Sequence, residues 1–325
     1  MFGSMHPLNF PQIPHLVLPK TLTRKNPNPN TNNTIPLATK SKQSKQEEYN
    51  NNDEEDGGIP SNEVKTLVKF KSNHNYIRVL QVSRRADHHL AGSRLLLLDS
   101  PGNIHSISFL FKSLTATYFD VFATFPPILP SGPIAILGFG AGTAARLILH
   151  LYPESQIHGW ELDSSVISVG REFFGLEKLE KQNKGKLFIY IGDALDAEIN
   201  DGFSGILVDL FSKGSLIPEL QKAETWKRLK SKLKKGGRIM VNCGGSCVEA
   251  EDPEREGNAV MVETLKAMRE VFADKVFVLK LRHWKEDSCV AFTGPSPNMG
   301  FWKQALPLGL NSYVDTWAPL SSLEL

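Results

Sequence analysis

Short apolar runs separated by polar turns occupy residues 64–109 of the chain. The runs are VKTLVKF, YIRVLQV, SRLLLLD and IHSISF, and the turn sequence SPGN separates the last two. Runs of this length, bounded by turn residues, predict a small antiparallel β-unit over about 63–107. We expect a helix over roughly 109–123 to follow, because the proline-rich PPILPSGP ends the next apolar stretch.

Strand-length apolar runs alternate with helix-length amphipathic stretches after Pro133. The strand-type runs are IAILGF, SQIHGWEL, KLFIYIGD, SGILVDLF and RIMVNC; the helix-type stretches are TAARLILHLY, SSVISVGREFF, PELQKAETWKRLKSKLKK and NAVMVETLKAMREVF. This alternation predicts a parallel sheet with both faces covered. The final runs, KVFVLKL and SCVAFTG, are joined by RHWKED, which is too short for a crossover helix and makes that pair antiparallel. The predicted fold class is α/β: a Rossmann-like sheet of seven strands with an antiparallel last strand, preceded by the small N-terminal β-unit.

The first 60 or so residues show no sustained periodicity. NPNPNTNNT and EEYNNNDEEDGG within them are typical of solvated linkers. Before Glu47 the segment has six basic residues and no acidic one. A basic, hydroxylated and acid-free N-terminus is typical of an organelle transit peptide, and its single arginine, Arg24, favours a chloroplast over a mitochondrion. The alternative is a disordered tail without a targeting signal, which would leave the protein in the cytoplasm.

Charge and composition exclude several classes of partner. The formal net charge is +2, of which the first 46 residues contribute +6, so the remaining body carries −4. This body lacks the basic face that nucleic-acid binding needs, and no apolar run approaches the roughly 20 residues of a membrane span. Three cysteines favour a reducing compartment. We expect four segments: a transit peptide and linker (1–60), the β-unit plus helix (61–125), a nucleoside-binding domain (126–300) and a C-terminal tail (301–325).

Three glycines lie between the first strand of the parallel sheet and its first helix. Gly138, Gly140 and Gly142 place backbone amides at a helix N-terminus, where a ligand can approach the main chain closely. Glu161 ends the second strand, 19 residues after the last glycine, and an acid there can accept hydrogen bonds from the two hydroxyls of a ribose. The combination predicts a nucleoside site. The alternative is that the glycines permit tight helix–strand packing.

The loop spacing favours S-adenosylmethionine over a dinucleotide. The dinucleotide fingerprint needs a small residue where Thr143 stands, and its sheet is wholly parallel. After the third strand, Asp193 could bond the adenine amino group and Ala194 could offer its amide to the ring, or Asp193 could cap a helix. Asp209 ends the fourth strand, where a carboxylate could orient or deprotonate a nucleophile, or again act as a cap. No metal site is expected.

These residues, with the β-unit before them, resemble the spermidine/spermine synthase family over about 64–295. This is the aminopropyltransferase family of the S-adenosylmethionine-dependent methyltransferase superfamily. The matching motifs are LLLLD for L-x-L-D, Tyr118 for the tyrosine of Y-Q-E, GFGAGT for G-G-G-D-G-G, WELD for V-E-I-D, GDA for G-D-A/G and ILVDLF for I-x-V-D-S-S-D. The resemblance implies a methyltransferase-like sheet in which Glu161 holds the ribose, Asp193 the adenine, and Asp209 deprotonates the attacking amine. Family members often dimerise through the β-domain, so a homodimer and a small-molecule acceptor are the expected partners.

Several acidic positions of the family differ in this chain. Ala141 stands at the aspartate of the glycine loop, Phe119 at the glutamine after the tyrosine, and Ser212 at the second aspartate of D-S-S-D; the T-E-R-D-E segment is absent. The missing acids are those that would hold cationic amine groups of substrate or cofactor, since a diamine carries about two positive charges at neutral pH. Asp209 and Asp120 are the carboxylates that remain for this role.

Three functions are compatible with this combination. The principal expectation is methyl transfer from S-adenosylmethionine to a small molecule, because in-line methyl transfer depends mainly on placement and needs few catalytic side chains. Asp209 and Tyr118 would then orient the acceptor. The second is aminopropyl transfer from decarboxylated S-adenosylmethionine, with Asp209 as the base. The third is a non-catalytic protein that keeps the nucleoside pocket.

Overall fold

The computed structural model of the protein describes residues 34–35, 59–283, 286–307 and 309–322. All of them belong to one compact unit. Two short strands, β1 (Thr34–Ile35) and β2 (Ile59–Pro60), pair in antiparallel fashion. The rest of the predicted transit peptide and linker lies outside the described residues, so the cellular location stays a prediction.

Four antiparallel strands form the predicted β-unit, and each pairs with the next along the chain. They are β3 (Val64–Lys71), β4 (Tyr76–Val82), β5 (Ser93–Leu97) and β6 (Ile104–Phe109). Ile77 and Val79, on one face, pack in a cluster with Val166 of a later helix. Leu95 and Ile107, which are register partners, belong to the largest hydrophobic core. The alternation of side chains along these strands therefore buries residues on both faces.

The helix predicted over 109–123 is wrong in its first half. Helix α1 spans Tyr118–Phe122, and the residues before it form a loop. The carboxylate of Asp120 accepts hydrogen bonds of 2.7–2.8 Å from the amide and hydroxyl of Thr115 and from the amide of Ala116. Ala116 has a φ of 58°, which a right-handed helix does not contain. Side-chain hydrogen bonds to the loop therefore decide where the helix begins.

The main sheet, within the described residues, has eight strands and contains the seven predicted ones. The strands after the β-unit are β7 (Ile134–Leu137), β8 (Ile157–Glu161), β9 (Leu187–Ile191), β10 (Phe203–Val208), β11 (Phe211–Ser212), β12 (Ser215–Leu216), β13 (Leu233–Gly245), β14 (Val276–His283), β15 (Glu286–Thr293) and β16 (Ala318–Pro319). β11 and β12 form a separate hairpin, and the main sheet has the order β16-β14-β15-β13-β10-β7-β8-β9. β7 to β10 and β13 are parallel, whereas β15 is antiparallel to β13 and β14. The predicted antiparallel last pair is thus confirmed, and β16 extends the sheet beyond it.

Helices connect the strands of the main sheet. They are α2 (Thr143–Leu151), α3 (Ser164–Phe173), α4 (Leu176–Gln182), α5 (Ala223–Ser231), α6 (Gly257–Phe272) and α7 (Met299–Ala305). α4 is not predicted, and α5 is shorter than predicted because Leu233 already pairs with Phe203 of β10. Strand pairing therefore begins before Lys235, the last residue of the predicted helix-type stretch. None of the described helices is both long and apolar enough to cross a bilayer.

Phe139, in the loop between β7 and α2, is buried against β8. A Cβ on Gly159 would overlap the ring of Phe139, and a Cβ on Gly142 would lie 3.2 Å from the edge of that ring. The ring fills the space between the loop and the strand, so both glycines are required by close packing.

Gly159→Ala is expected to lower the free energy of unfolding by about 1–3 kcal/mol, because the added methyl group overpacks the ring of Phe139. Gly300→Ala on α7 is the matched control, since its Cβ would make ordinary van der Waals contact at 3.5 Å. Urea unfolding at neutral pH measures the midpoint and slope for each variant. A wild-type midpoint for Gly159→Ala would contradict this packing.

Candidate active site

The loop between β7 and α2 has three glycines with positive φ: 86° at Gly138, 57° at Gly140 and 82° at Gly142. Protein atoms occupy the space in which their Cβ atoms would lie. A Cβ on Gly138 would overlap the carbonyl oxygen of Asp209, and one on Gly140 would lie 2.6 Å from Oγ of Ser106. Tight packing, the alternative considered for the sequence, therefore accounts for these glycines. Their contact with a cofactor stays a prediction.

The backbone amides of this loop have partners inside the protein. Gly140 donates to Oε2 of Glu161 and Ala141 donates to Oγ of Ser106, each at 2.9 Å. The other three amides donate to backbone carbonyls. The amides of residues 138–142 are therefore already paired, and cofactor binding by the loop stays a prediction. A ligand would meet the side chains that hold the loop in place.

Glu161 ends β8 and holds the glycine loop through its carboxylate. It is 8% exposed, and its Oε1 accepts a second hydrogen bond, of 3.1 Å, from the amide of Asp163. Burial raises the pKa of Glu161, and the hydrogen bonds from the two amides oppose that effect. Each carboxylate oxygen can accept one more hydrogen bond, so a pair of ribose hydroxyls fits this group.

An exposed apolar pair, Leu162 and Ile191, lies beside Glu161; neither residue is among the predicted site residues. Leu162 and Ile191 are 51% and 53% exposed, although they stand at the ends of two neighbouring strands. The amide of Gly192 donates to the carbonyl of Glu161 at 3.0 Å, which holds the two strand ends together. Apolar surface left open at a ligand-binding edge suits the flat face of a purine. The sequence signal for Leu162 is an apolar residue directly after a strand-ending acid.

Asp193 lies at the same edge and acts as a cap. Its Oδ1 accepts a hydrogen bond of 2.8 Å from the amide of Leu195, at the start of the 3-10 turn Ala194–Asp196. The capping alternative is thus correct for Oδ1. The side chain is exposed, so Oδ2 remains accessible to an adenine amino group. Adenine contacts by Asp193 and by the buried Ala194 stay predictions.

Asp209, directly after β10, lies between two hydrogen-bond donors. The hydroxyl of Tyr118 donates to Oδ2 at 2.8 Å, and Nδ2 of Asn242 donates to Oδ1 at 3.0 Å. Burial raises the pKa of Asp209 to about 6, against the opposing effect of both hydrogen bonds. Burial, together with the charge of Asp209, also raises the pKa of Tyr118, which therefore stays protonated. A carboxylate that titrates in this range can accept a proton from a bound nucleophile.

The structure brings together some of the predicted residues and separates others. Tyr118 and Asp209, 91 residues apart in sequence, are in direct contact. Asn242 is not among the predicted site residues; its signal is a polar residue inside the apolar run of β13. Asp120 is bonded to its own loop, so its expected role toward a cationic amine is wrong. Ala141 is fully buried. Of the two carboxylates expected near a cationic amine, Asp209 remains, and its role stays a prediction.

Comparison with known proteins finds a sequence relative and several structures with the same fold. No protein-family model matches the chain. The chain is 27% identical over 181 residues to a protein of Bifidobacterium longum (strain NCC 2705) named probable polyamine aminopropyl transferase, and the match covers 55% of this chain and 38% of the relative. The chain therefore spans well under half the length of that relative.

Solved structures of spermidine synthases share the fold. The spermidine synthase from Thermotoga maritima has a TM-score of 0.57 at 14% identity, covering 79% of this chain and 85% of that one. A spermidine synthase in complex with the transition-state analogue AdoDATO has a TM-score of 0.55 at 14% identity, with the coverage again 79% and 85%. A probable spermidine synthase from Corynebacterium glutamicum ATCC 13032 has a TM-score of 0.51 at 18% identity, covering 74% and 86%.

The strand order, with β15 antiparallel to its neighbours, gives the chain a fold like that of S-adenosylmethionine-dependent methyltransferases. The four-stranded β-unit before this sheet restricts the fold further, to methyltransferase-like sheets that are preceded by such a unit. The chain is spermidine synthase-like in both sequence and fold. The family resemblance and the predicted fold class are therefore confirmed.

Glu161→Gln is expected to weaken binding of 5′-methylthioadenosine by about 1–3 kcal/mol, roughly 5- to 150-fold, because a neutral amide accepts weaker hydrogen bonds from the ribose hydroxyls. Isothermal titration calorimetry measures the affinity. Glu154→Gln is the control, since that side chain is exposed on the surface. Unchanged affinity in Glu161→Gln would remove the ribose assignment.

Leu162→Ser and Ile191→Ser are each expected to weaken the same ligand by about 1 kcal/mol, the value for some 40 Å² of apolar surface at roughly 25 cal/mol per Å². Both side chains are exposed, so the melting temperature should hardly change. Phe301→Ser, at a residue that is 61% exposed on α7, is the matched control. Wild-type affinity in both site variants would exclude this pair as the adenine surface.

Proposed function

We propose that this chain is an aminopropyltransferase, which moves the aminopropyl group of decarboxylated S-adenosylmethionine to an amine. The contact of Tyr118 and Asn242 with Asp209 is the observation that carries the proposal. An alkylammonium group titrates near the lysine value of about 10.4, so it must lose a proton before its nitrogen can attack carbon. A carboxylate with a pKa of about 6 is ionised at neutral pH and can take that proton. The sequence match to a protein named as an aminopropyl transferase supports the same reaction.

The residues at the other end of the site fit the nucleoside of such a substrate. Glu161 keeps acceptor capacity for the ribose, and Leu162 and Ile191 leave apolar surface open for the adenine. When bound, the nucleoside supplies a sulfonium centre with an adjacent carbon that a nitrogen nucleophile can attack. The residues of this chain bind the nucleoside, orient the amine and move its proton to Asp209.

Methyl transfer from S-adenosylmethionine is the second candidate, and Ala141 favours it. This buried residue stands where the related synthases have an aspartate for an amine group of substrate or cofactor. Methyl transfer needs in-line placement of the acceptor, which Asp209 and Tyr118 could provide. The comparisons nevertheless favour aminopropyl transfer over this principal expectation of the sequence analysis.

A chloroplast location and a homodimer formed through the β-unit belong to the same proposal. The location rests on the composition of residues 1–60, and the homodimer rests on the family resemblance. The acceptor is a small-molecule amine, with neither nucleic acid nor a membrane as partner.

The purified chain is expected to release 5′-methylthioadenosine from decarboxylated S-adenosylmethionine when linear mono-, di- and triamines are supplied. Asp209→Asn is expected to lower this rate about 100-fold or more, because its amide cannot take the proton, with nucleoside affinity nearly unchanged. Chromatography of the nucleoside products measures the rate. Asp274→Asn, at an exposed residue, is the control. Release of S-adenosylhomocysteine from S-adenosylmethionine instead would replace the proposal by methyl transfer.

The value of kcat/KM is expected to fall below about pH 6, because the base form of Asp209 is lost as the pH drops through its raised pKa of about 6. Tyr118→Phe and Asn242→Ala each remove a hydrogen bond that favours the charged form, so each should move this fall to higher pH. Tyr152→Phe is the control, since the described residues offer its buried hydroxyl no partner. An unmoved profile in both site variants would contradict the role of Asp209.

A further inference from the structure

A buried carboxylate orients a histidine at the edge of the site. Asp99 follows β5 and is 2% exposed, and its Oδ1 accepts hydrogen bonds of 2.9 and 3.0 Å from the amides of Gly102 and Asn103. Its Oδ2 accepts from Nδ2 of Asn103 at 2.7 Å and lies 3.0 Å from Nε2 of His105. Burial raises the pKa of Asp99, but the hydrogen bonds from His105 and Asn103 outweigh burial and hold it below the usual value. Asp99 is therefore ionised, and Nε2 of His105 carries the shared proton.

When the His105 ring is neutral and its Nε2–H donates to Asp99, the lone pair of the ring is on Nδ1. The side chain of His105 is 15% exposed. With the ring in this neutral form, His105 and Asp99 together carry one negative charge. An imidazole acceptor backed by a carboxylate in this way is a suitable partner for an ammonium group.

His105 lies beside the glycine loop, near the carboxylates of the site. Its carbonyl oxygen is 3.4 Å from the position that a Cβ on Gly140 would take, so β6 brings it against the glycine loop. Its charge, when protonated, lowers the pKa of both Glu161 and Asp209, which places the ring within Coulombic range of each. A group that links a ribose at Glu161 to an amine at Asp209 would therefore lie in the range of the same ring.

We propose that His105, oriented by Asp99, accepts a hydrogen bond from the terminal ammonium of the aminopropyl group and so replaces the aspartate that this loop lacks at Ala141. The inference rests on the proposed function, since it names the group of that cosubstrate which the chain recognises. The negative charge of the pair attracts the ammonium group and repels the α-carboxylate that S-adenosylmethionine carries beside its amine. His105 thereby selects the decarboxylated nucleoside.

His105→Gln is the discriminating variant. Its amide nitrogen can occupy the Nε2 position and keep the bond to Asp99, but it places no acceptor at the Nδ1 position. Affinity for decarboxylated S-adenosylmethionine should fall roughly 10- to 100-fold, the range for a lost hydrogen bond to a charged group. Affinity for 5′-methylthioadenosine, which has no ammonium group, should change less than about threefold on the same grounds. Calorimetric titration of the full chain at pH 8 measures both.

Two further variants make the result specific to the Nδ1 acceptor. His105→Asn places a carbonyl oxygen near the Nδ1 position and should recover part of the lost affinity. His150→Ala, at an exposed residue of α2, should leave both affinities unchanged.

The outcomes separate this inference from the proposed function. If His105→Gln keeps the wild-type ratio of the two affinities, or loses both affinities equally, His105 does not recognise the ammonium group. If the wild-type chain itself binds S-adenosylmethionine more tightly than the decarboxylated form, the proposed function fails, and the selection assigned to His105 fails with it.

Discussion

The docking of β6 against the glycine loop is the contact on which the whole site depends. Thr143, the first residue of α2, exchanges two hydrogen bonds of 3.0 Å with the main chain of Ile107, and Ser106 accepts a third from a loop amide. These hydroxyls join the β-unit to the main sheet at the point where the parallel strands end. Because β6 is held there, His105 reaches the site, and the chain that follows brings Tyr118 to Asp209. The threonine that departs from the dinucleotide fingerprint thus has a structural reason.

Three buried carboxylates at this edge differ in proton affinity because they differ in their hydrogen-bond donors. Asp99 accepts four hydrogen bonds, and its pKa lies below the ordinary value despite burial. Asp209 accepts two, and burial still raises its pKa to about 6; Glu161 also accepts two and has a raised pKa. The site therefore combines one permanent negative charge, behind His105, with one group that exchanges a proton close to neutral pH.

Most of the fold could be predicted because burial of alternate or successive apolar residues leaves a local pattern. The prediction fails where a side-chain hydrogen bond or a strand pairing competes with that pattern. Asp120 bonds the loop before α1 and shortens the helix expected over 109–123, and the pairing of Leu233 with Phe203 ends α5 early. Leu162 is missed because its exposure at a strand end depends on packing that a linear pattern does not contain.

The α/β class, the antiparallel last pair and the edge of the sheet at which the acidic residues gather follow from the sequence alone, because the ends of parallel strands meet at one edge. The partner of each polar group, in contrast, is visible only in the folded chain. The loop amides bond Glu161 and Ser106, and Asp209 bonds Tyr118 and Asn242. These partners lie 21 to 91 residues apart along the chain. These partners are selected by their proximity in the folded chain, and the local periodicity of the sequence carries no information about that proximity.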